Sequence, residues 1–252
     1  MAATHPTAAA GFDRAADAYE RGRPGYPAEA VAHLAAHFRL GEGVTVLDLA
    51  AGTGKLTRVL VRRYAHVIAV EPLDGMRAIL ERVVPGAEAL PGRAESIPLD
   101  DASVDAVFAA QAFHWFANDA AVAEIARVLR PGGIFCLVWN SGDDARPNPL
   151  PADYLAYLEE LRAERSTFDA STPFDQVIAR GPFDEVHTSA VPHDHVLDRA
   201  GLIDNARSVS WVASRDDDDR DAVLARLAAL LPEGVYSIPN LANVMWARRK
   251  PT

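Results

Sequence analysis

A glycine-rich turn is the first stretch whose residue types and spacing suit chemistry. It is the run DLAAGTG at residues 48–54, between a predicted buried strand and a predicted helix. Glycine lets the backbone adopt positive φ and approach a ligand closely, and the N-terminus of the following helix offers free N–H groups. The pattern predicts a site for a nucleotide-like ligand, but it fits any nucleotide-binding α/β protein.

The residues around the turn exclude two kinds of nucleotide site. A phosphate-binding loop has Ser or Thr directly after Gly-Lys and an earlier glycine, whereas this chain has Leu56 and Leu49 at those positions. A dinucleotide turn has a third glycine where this chain has Thr57, which fits poorly. The acidic Asp48 just before the turn would repel a pyrophosphate, but it suits a ligand that carries an amine.

Two further groups are placed to act with the turn. Glu71 ends the second predicted strand, and an acid there can accept hydrogen bonds from both hydroxyls of a ribose. His114 follows the fourth predicted strand, at the carboxyl end where the ligand sites of α/β sheets lie. Because the ordinary pKa of an imidazole is near ~6.5, His114 is the candidate catalytic base.

Alternating hydrophobic periods predict the scaffold that positions these groups. Apolar runs typical of buried parallel strands alternate with stretches whose apolar residues recur at helical spacing. Such strand–helix–strand units build a doubly wound α/β fold. Strands are predicted at residues 44–49, 66–71, 87–91, 104–109, 134–139, 185–191 and 243–248. Asn118 and Asp198 are predicted to cap helices, and further helices are predicted at residues 74–84, 153–165 and 218–231.

The composition argues against several classes of protein. The net charge of −10 and the absence of a long basic run argue against nucleic-acid binding, which neutralises phosphates with Lys and Arg. The single cysteine, Cys136, cannot form an internal disulfide. The first residues lack the features of a signal peptide, and no apolar window reaches the ~18 residues of a membrane helix. We therefore expect a cytoplasmic protein that binds neither nucleic acid nor a membrane.

No metal site is predicted. His193 and His195 lie at strand spacing, but a zinc site would need a third and a fourth ligand, and no cysteine is nearby. The acidic run at residues 216–219 is better explained as the N-terminus of a helix, where the helix dipole favours negative charge.

Four stretches together resemble the class I S-adenosylmethionine-dependent methyltransferases, in particular the type 11-like group that acts on small molecules. The resemblance covers about residues 12–249. It implies a Rossmann-like sheet of seven mostly parallel strands with an antiparallel edge strand. It also implies one domain, with N-terminal lid helices at residues 1–40, a cofactor-binding core at 41–140 and a C-terminal capping, acceptor-side insertion with the last strands at 141–252. The stretches are VLDLAAGTG at residues 46–54, VEPLDGM at 70–76, GRAESIP at 92–98 and LRPGG at 129–133.

The resemblance also implies the residues that hold the cofactor. The glycine turn would wrap its methionine part, the second stretch would bind the ribose and the third would read the adenine, while the lid closes over the cofactor carboxylate. Two positions depart from the family pattern, because Ala50 stands where the family usually has glycine and Arg93 where it often has an acid. The implied cofactor-binding residues are Tyr19, Arg23, Asp48, Ala50, Gly52, Gly54, Glu71, Pro72, Met76, Ala94, Glu95 and Gln111.

The predicted reaction is transfer of a methyl group from S-adenosylmethionine to an O, N or C atom of a small metabolite. Displacement at a sulfonium depends mainly on alignment, so His114 is needed as a base only if the acceptor must lose a proton. Two alternatives stay open, a nicotinamide-dependent oxidoreductase on a related fold and a protein that binds the cofactor without turnover. The expected partner is a small-molecule acceptor, and the protein is expected to be a monomer or a homodimer.

Overall fold

The computed structural model describes residues 16–165 and 173–251, with the backbone alone at residues 16–18 and 164–165. The first fifteen residues of the predicted lid therefore lie outside the described residues. The elements, in chain order, are α1 (Ala16–Gly22), α2 (Ala28–Phe38), β1 (Thr45–Leu49), α3 (Thr57–Leu60), β2 (His66–Val70), α4 (Asp74–Val83), β3 (Glu88–Leu90), β4 (Val104–Ala110), α5 (Asp119–Val128), β5 (Leu129–Gly142), α6 (Ala152–Arg165), α7 (Phe174–Ile178), β6 (His187–Asp198), α8 (Arg199–Ser208), α9 (Ser210–Ala213), α10 (Asp217–Ala229) and β7 (Val235–Arg248), with a short 3-10 helix (Phe113–Trp115) after β4.

The strands form one seven-stranded sheet in the order β3-β2-β1-β4-β5-β7-β6. The pairs β2–β3, β1–β2, β1–β4 and β4–β5 are parallel. The sheet is mixed, with an antiparallel edge. This confirms the predicted α/β fold. Between β1 and β4 the strand order reverses, which is the point where sheets of this kind open a crevice for a ligand.

Both faces of the central strands are buried, which explains why their sequences are mostly apolar. Along β1, Leu47 and Leu49 belong to one hydrophobic cluster, while Val46 belongs to the other. In β4, Val107 belongs to the cluster of Leu47, and Phe108 belongs to the cluster of Val46. Since neighbouring side chains of a strand point to opposite faces, the two clusters lie on the two faces of the sheet.

The fifth strand is longer than the strand predicted at residues 134–139. β5 already begins at Leu129, and its register against β4 shifts between the pairs Val104–Leu129 and Ala106–Ile134. Between these pairs β5 has four residues and β4 has one, so the three extra residues form an irregularity within the strand. Gly132 accommodates it with a φ of 78°. A Cβ at Gly133 would lie 2.9 Å from the carbonyl oxygens of Arg130 and Asp105, so only glycine fits there.

The chain divides into two compact units, each of which we describe by itself. The core unit comprises residues 26–141, 170–191 and 241–252, and the helical unit comprises residues 1–25, 142–169 and 192–240. The single domain with a lid, a core and an insertion stays a prediction. None of the helices in the described ranges is long and apolar enough to cross a membrane.

The helical unit has its own hydrophobic core and capped helices. Buried side chains from α6, α8, α9 and α10 form one cluster. The predicted cap at Asp198 is confirmed, because its side chain accepts a hydrogen bond from the Gly201 N–H. Asp216 caps α10 in the same way, by accepting from the Asp219 N–H. This gives part of the acidic run at residues 216–219 a local structural role.

Candidate functional site

The ends of three parallel strands align in one row at the edge of the sheet. Leu49 of β1 pairs with Val70 of β2, which pairs with Leu90 of β3. After these three strand ends the chain continues into the glycine turn, into Glu71 and into the loop that begins near Gly92. The predicted contacts to the methionine part, the ribose and the adenine thus follow neighbouring strand ends, as the crevice rule for α/β sheets requires.

The glycine turn contains three residues in the left-handed region. The φ angles of Ala50, Gly52 and Gly54 are 57°, 59° and 83°. Around the position of a Cβ on Gly52 there is no described atom within 4 Å, whereas a Cβ on Gly54 would meet Val84 and Leu80 of the α4 region at 2.9 and 3.2 Å. Gly52 is thus open to a ligand, and Gly54 lets the turn pack closely on α4.

Asp48 is fully buried at the end of β1, directly before the turn. Its Oδ2 accepts a hydrogen bond of 2.6 Å from the hydroxyl of Thr57, the first residue of α3. Burial raises the pKa of Asp48 to about 7, while the Thr57 hydrogen bond lowers it and the charge of Glu71 raises it further. Asp48 is therefore a carboxyl group whose charge responds to small changes near neutral pH.

Glu71 connects the turn to the end of β2. Its Oε2 accepts from the Gly52 N–H at 2.8 Å and its Oε1 from the Leu73 N–H at 2.9 Å. Burial raises the pKa of Glu71, and these two hydrogen bonds lower it. A carboxylate oxygen has a second lone pair, so each can also accept from a hydroxyl. The side chain thus shapes the turn and retains the acceptors that a ribose requires.

The two residues predicted next to Glu71 differ in exposure. Pro72 is exposed at the beginning of the connection to α4, and Met76 is buried on that helix. An apolar side chain at Met76 suits the face of an aromatic ring. The exposed ring of Pro72 restricts the backbone directly after Glu71.

The loop predicted to read the adenine is held by its neighbours. Ala94 is buried, and the carboxylate of Glu95 accepts a 3.1 Å hydrogen bond from the Asn118 side-chain amide. The side-chain oxygen Oδ1 of Asn118 accepts from the Ala121 N–H, which confirms the predicted cap of α5. The guanidinium of Arg93 lies 3.8 Å from the carboxylate of Glu95. The arginine at the position where the family often has an acid is therefore paired with Glu95.

The far half of this loop is fastened to α5. Glu124 accepts from the Ile97 N–H at 3.0 Å, and Arg127 donates to the carbonyls of Ile97 and Leu99 and to Asp101. The hydrogen bond from Arg127 lowers the pKa of Glu124, so the pair stays charged at neutral pH. Together with Asn118, these side chains make the loop a rigid extension of the helix.

The segment after β4 carries the candidate base. Gln111 is exposed, has a φ of 51°, and donates from its side chain to the Asn140 carbonyl. A left-handed residue other than glycine costs conformational energy, and such residues cluster at functional sites. His114 lies half-buried in the 3-10 helix, 4.7 Å between ring centres from Trp115. Burial lowers the pKa of His114 to about 4, so its imidazole is neutral at physiological pH.

Phe113 and Phe116 belong to the hydrophobic core. Both are buried, and Phe113 makes edge-to-face contacts with Phe116, Phe135 and Phe174. Their packing holds the 3-10 helix on the sheet and thereby fixes the position of His114.

The two predicted lid residues belong to the helical unit. The guanidinium of Arg23 lies 5.5 Å from the centre of the Tyr19 ring. Arg23 also donates to the hydroxyl and the carbonyl of Ser208 on α8, at 2.8 and 3.1 Å. Within this unit Arg23 therefore attaches α1 to α8, and its contact with the cofactor carboxylate stays a prediction.

Sequence reasoning missed two contributions to the site. In the sequence, Thr57 argues only against a dinucleotide turn. Its hydroxyl, nine residues after Asp48, also donates a hydrogen bond to that buried carboxylate. The sequence predicts Asn118 as a cap. The second hydrogen bond of this side chain, to Glu95, leaves no pattern in the sequence because it depends on the packing of the loop. The described residues contain no group of three or more His, Cys, Asp or Glu that could hold a metal ion.

The residues present fit the cofactor that the resemblance implies. Oδ1 of Asp48 is buried and has no hydrogen-bond partner among the described residues, which suits a cationic amine or a bridging water. Gly52 leaves open space at the turn, and Glu71 retains acceptors for hydroxyls. These are the groups that the methionine and ribose parts of S-adenosylmethionine require.

Comparison with known proteins gives a consistent result. A sequence model described as a methyltransferase domain matches residues 47–137. The chain is 42% identical to an uncharacterized methyltransferase of Mycobacterium tuberculosis, over 92% of this chain and 88% of that protein. It is 33% identical to an uncharacterized methyltransferase-like protein of Schizosaccharomyces pombe, over 89% of this chain and 86% of that one. A solved structure described as a type II methyltransferase of Anaeromyxobacter dehalogenans has a TM-score of 0.63 and 25% identity, covering 91% of this chain and 99% of that one.

Proposed function

Because the chain belongs to the S-adenosylmethionine-dependent methyltransferases, we propose that it methylates an O, N or C atom of a small metabolite. When bound, S-adenosylmethionine supplies a methyl group on a sulfonium centre. The observation that supports the cofactor assignment is the arrangement of Asp48, the open glycine turn and Glu71 at adjacent strand ends. A pyrophosphate at the turn would be repelled by Asp48, which argues against a nicotinamide cofactor.

Each part of the site has a separate task. The turn and Asp48 bind the methionine part, Glu71 accepts from the ribose hydroxyls, and Met76, Ala94 and the braced loop enclose the adenine. Gln111 and the 3-10 helix that follows β4 lie on the side of the reacting methyl group. Alignment of the acceptor and exclusion of water provide most of the acceleration, because the sulfonium needs no acid to assist its leaving group.

The test of this proposal is calorimetric titration of the wild-type protein with four ligands: S-adenosylmethionine, S-adenosylhomocysteine, NAD and NADP. We expect binding of the first two and none of the last two. The opposite pattern would favour the oxidoreductase. Incubation with a panel of carboxylate, phenol and amine acceptors should then yield S-adenosylhomocysteine. Binding of S-adenosylmethionine without product for any acceptor would favour the non-catalytic alternative.

His114 is proposed as the base for an acceptor that loses a proton during the transfer. A neutral imidazole can accept that proton, but with a pKa of about 4 it is a weak base in the free protein. We expect His114→Ala to lower kcat by about 100-fold or more while the affinity for S-adenosylhomocysteine is kept. A rate near that of the wild type would remove the base role.

The pH profile provides an independent check of this role. Since the base must be deprotonated, and burial lowers its pKa from the ordinary value, kcat/KM for the acceptor should stay level from about pH 8 down to about pH 5 when S-adenosylmethionine is saturating. It should fall only as the pH approaches the depressed pKa of about 4. An inflection near ~6.5 that disappears in His114→Ala would show that the imidazole titrates as an exposed group.

A further inference from the structure

One buried hydrogen bond beside the glycine turn joins Asp48 to Thr57, a residue that has no role in the function proposed above. Thr57 donates its hydroxyl proton to Oδ2 of Asp48 at 2.6 Å, and both side chains are completely buried. The second carboxylate oxygen, Oδ1, is buried as well and has no hydrogen-bond partner in the described parts of the chain. Leaving a buried oxygen without a donor costs free energy. Only one of the two carboxylate oxygens of Asp48 therefore has a side-chain donor.

Besides the Thr57 hydroxyl, the backbone N–H of the same residue favours the charged form of Asp48, and the surroundings offer little else to stabilise a negative charge. Its neighbours on the adjoining strands are Ala69 on β2 and Phe108 on β4, and neither side chain titrates or donates a hydrogen bond. The charge of Glu71, at the end of β2, opposes a second carboxylate nearby. The hydroxyl of Thr57, at the beginning of α3, is therefore the side-chain group that favours the ionised form of Asp48.

The close packing of the turn brings these two residues together. Gly54 lies between them in sequence, and the absence of a side chain there lets the turn lie against Leu80 and Val84. A Cβ on Gly54 would also come within 3.5 Å of the Thr57 hydroxyl. This is an ordinary van der Waals distance, so glycine is needed here for the left-handed backbone and the close contact with Val84.

We propose that Thr57 is a positioning residue for cofactor binding: its hydroxyl holds one oxygen of Asp48 and orients the carboxylate for the ammonium group of the cofactor. This inference rests on the proposed function, because it needs a cofactor that carries an amino acid part. The cationic ammonium would supply the partner that Oδ1 lacks, directly or through a water molecule. Thr57 itself touches Asp48 and has no role in the transfer step.

The proposal predicts a characteristic dependence on pH. Burial raises the pKa of Asp48 to about 7 even though the Thr57 hydrogen bond lowers it. Without the hydroxyl the pKa rises further, so Asp48 is mostly neutral at pH 7 and binds an ammonium group poorly. Raising the pH ionises Asp48 again and should restore the lost affinity.

Two substitutions test the role of the hydroxyl. Thr57→Val resembles Thr in shape and lacks the hydroxyl, whereas Thr57→Ser retains it. Calorimetry would measure the affinity of the full-length protein for S-adenosylhomocysteine and for methylthioadenosine, which lacks the amino acid part, between pH 6 and pH 8.5. We expect Thr57→Val to weaken S-adenosylhomocysteine by about tenfold at pH 7, less at pH 8.5, and to leave methylthioadenosine unchanged. Thr57→Ser should behave like the wild type.

Other results would overturn the inference. An equal loss for both ligands would mean that Thr57 only shapes the turn, and an affinity equal to that of the wild type would mean that the hydroxyl has no effect. If the wild type bound neither S-adenosylmethionine nor S-adenosylhomocysteine, the proposed function would fall together with this inference.

Asp48→Asn provides a second variant in case Thr57→Val does not fold. Its amide oxygen can still accept from Thr57, but it carries no charge and does not titrate. Asp48→Asn should have a lower affinity for S-adenosylhomocysteine at every pH and an unchanged affinity for methylthioadenosine. A loss in Asp48→Asn that recovers as the pH rises would contradict the assignment of the pH dependence to Asp48.

Discussion

The core unit and the helical unit each use a glycine where two segments meet, and the two glycines have different surroundings. A Cβ on Gly54, whose φ is +83°, would meet side-chain atoms of Val84 and Leu80. A Cβ on Gly22 would meet the backbone of α8, at 2.5 Å from the Asp204 carbonyl carbon and 2.6 Å from the Asn205 Cα. A side-chain tip can shift, but helical backbone in a packed core hardly moves. Gly54 is therefore required chiefly by its backbone angle, and Gly22 by the lack of space.

The polar groups around the two glycines differ as well. Beside Gly54 the acids are buried, and their partners are a hydroxyl and backbone N–H groups. Beside Gly22, Asn205 donates to the Gly22 carbonyl and Arg21 pairs with Asp204 at 2.6 Å, partly in solvent. Exposed ion pairs contribute little, so close packing at Gly22 holds α1 on α8. The comparison separates a turn with open space beside buried acids from a contact that holds one helix on another.

Gly22→Ala should give the largest effect on stability. A methyl group cannot fit against the α8 backbone, so α1 must move away from α8, and we expect a loss of about 3 kcal/mol or more in the free energy of unfolding by urea. Gly25→Ala is the matched control, because no described atom lies within 4 Å of its Cβ position. Arg21→Ala should cost less than about 1 kcal/mol. Equal stability of the two glycine variants would contradict the packing argument.

Gly54→Ala should affect the cofactor more than the fold. The left-handed backbone costs an alanine about 1–2 kcal/mol, and the displaced turn should lower the affinity for S-adenosylhomocysteine by about tenfold or more. Calorimetry and thermal unfolding would measure the two quantities. Gly43→Ala, with no described atom within 4 Å of its Cβ and no left-handed φ, is the control that should leave both unchanged. Unchanged affinity in Gly54→Ala would remove the turn from the cofactor site.

Asn118→Ser extends the comparison to a loop held by a side chain. Serine caps a helix about as well as asparagine, but it lacks the amide that donates to Glu95. We expect thermal stability close to that of the wild type and a cofactor affinity several-fold lower, whereas Asn118→Ala should lose about 1 kcal/mol of stability as well. If Asn118→Ser binds S-adenosylhomocysteine like the wild type, the contact with Glu95 has no part in binding.

Ala50→Gly should give the smallest effect, and in the opposite direction. The φ of 57° strains an alanine, and glycine relieves this strain. Glycine also has more freedom in the unfolded chain, which offsets part of the gain, so we expect the free energy of unfolding to rise by up to about 1 kcal/mol. Ala102, which is exposed with a φ of 49°, allows the same substitution at another left-handed position. Both variants should retain the cofactor affinity of the wild type, and destabilisation of both would contradict the strain argument.

The elements that sequence reasoning placed correctly depend on local chemistry. The caps at Asn118 and Asp198 are interactions over three residues, and the central strands are mostly apolar runs. The ends of β6 and β7 were less predictable: the observed strands are His187–Asp198 and Val235–Arg248, both longer than predicted. How far a strand extends depends on its pairing partner, which the chain's own pattern does not contain.

The sequence by itself determined the fold class, the glycine turn and the acids on either side of it, because periodicity, glycine and strand-end acids are properties of short segments. Tertiary structure decided that Thr57 satisfies Asp48, that Glu71 binds the turn, that Asn118 holds Glu95 and that Arg23 attaches to Ser208. Each of these contacts joins two elements whose approach is set by packing. Burial, which also sets the altered pKa values of Asp48 and His114, likewise exists only once the sheet and its helices have assembled.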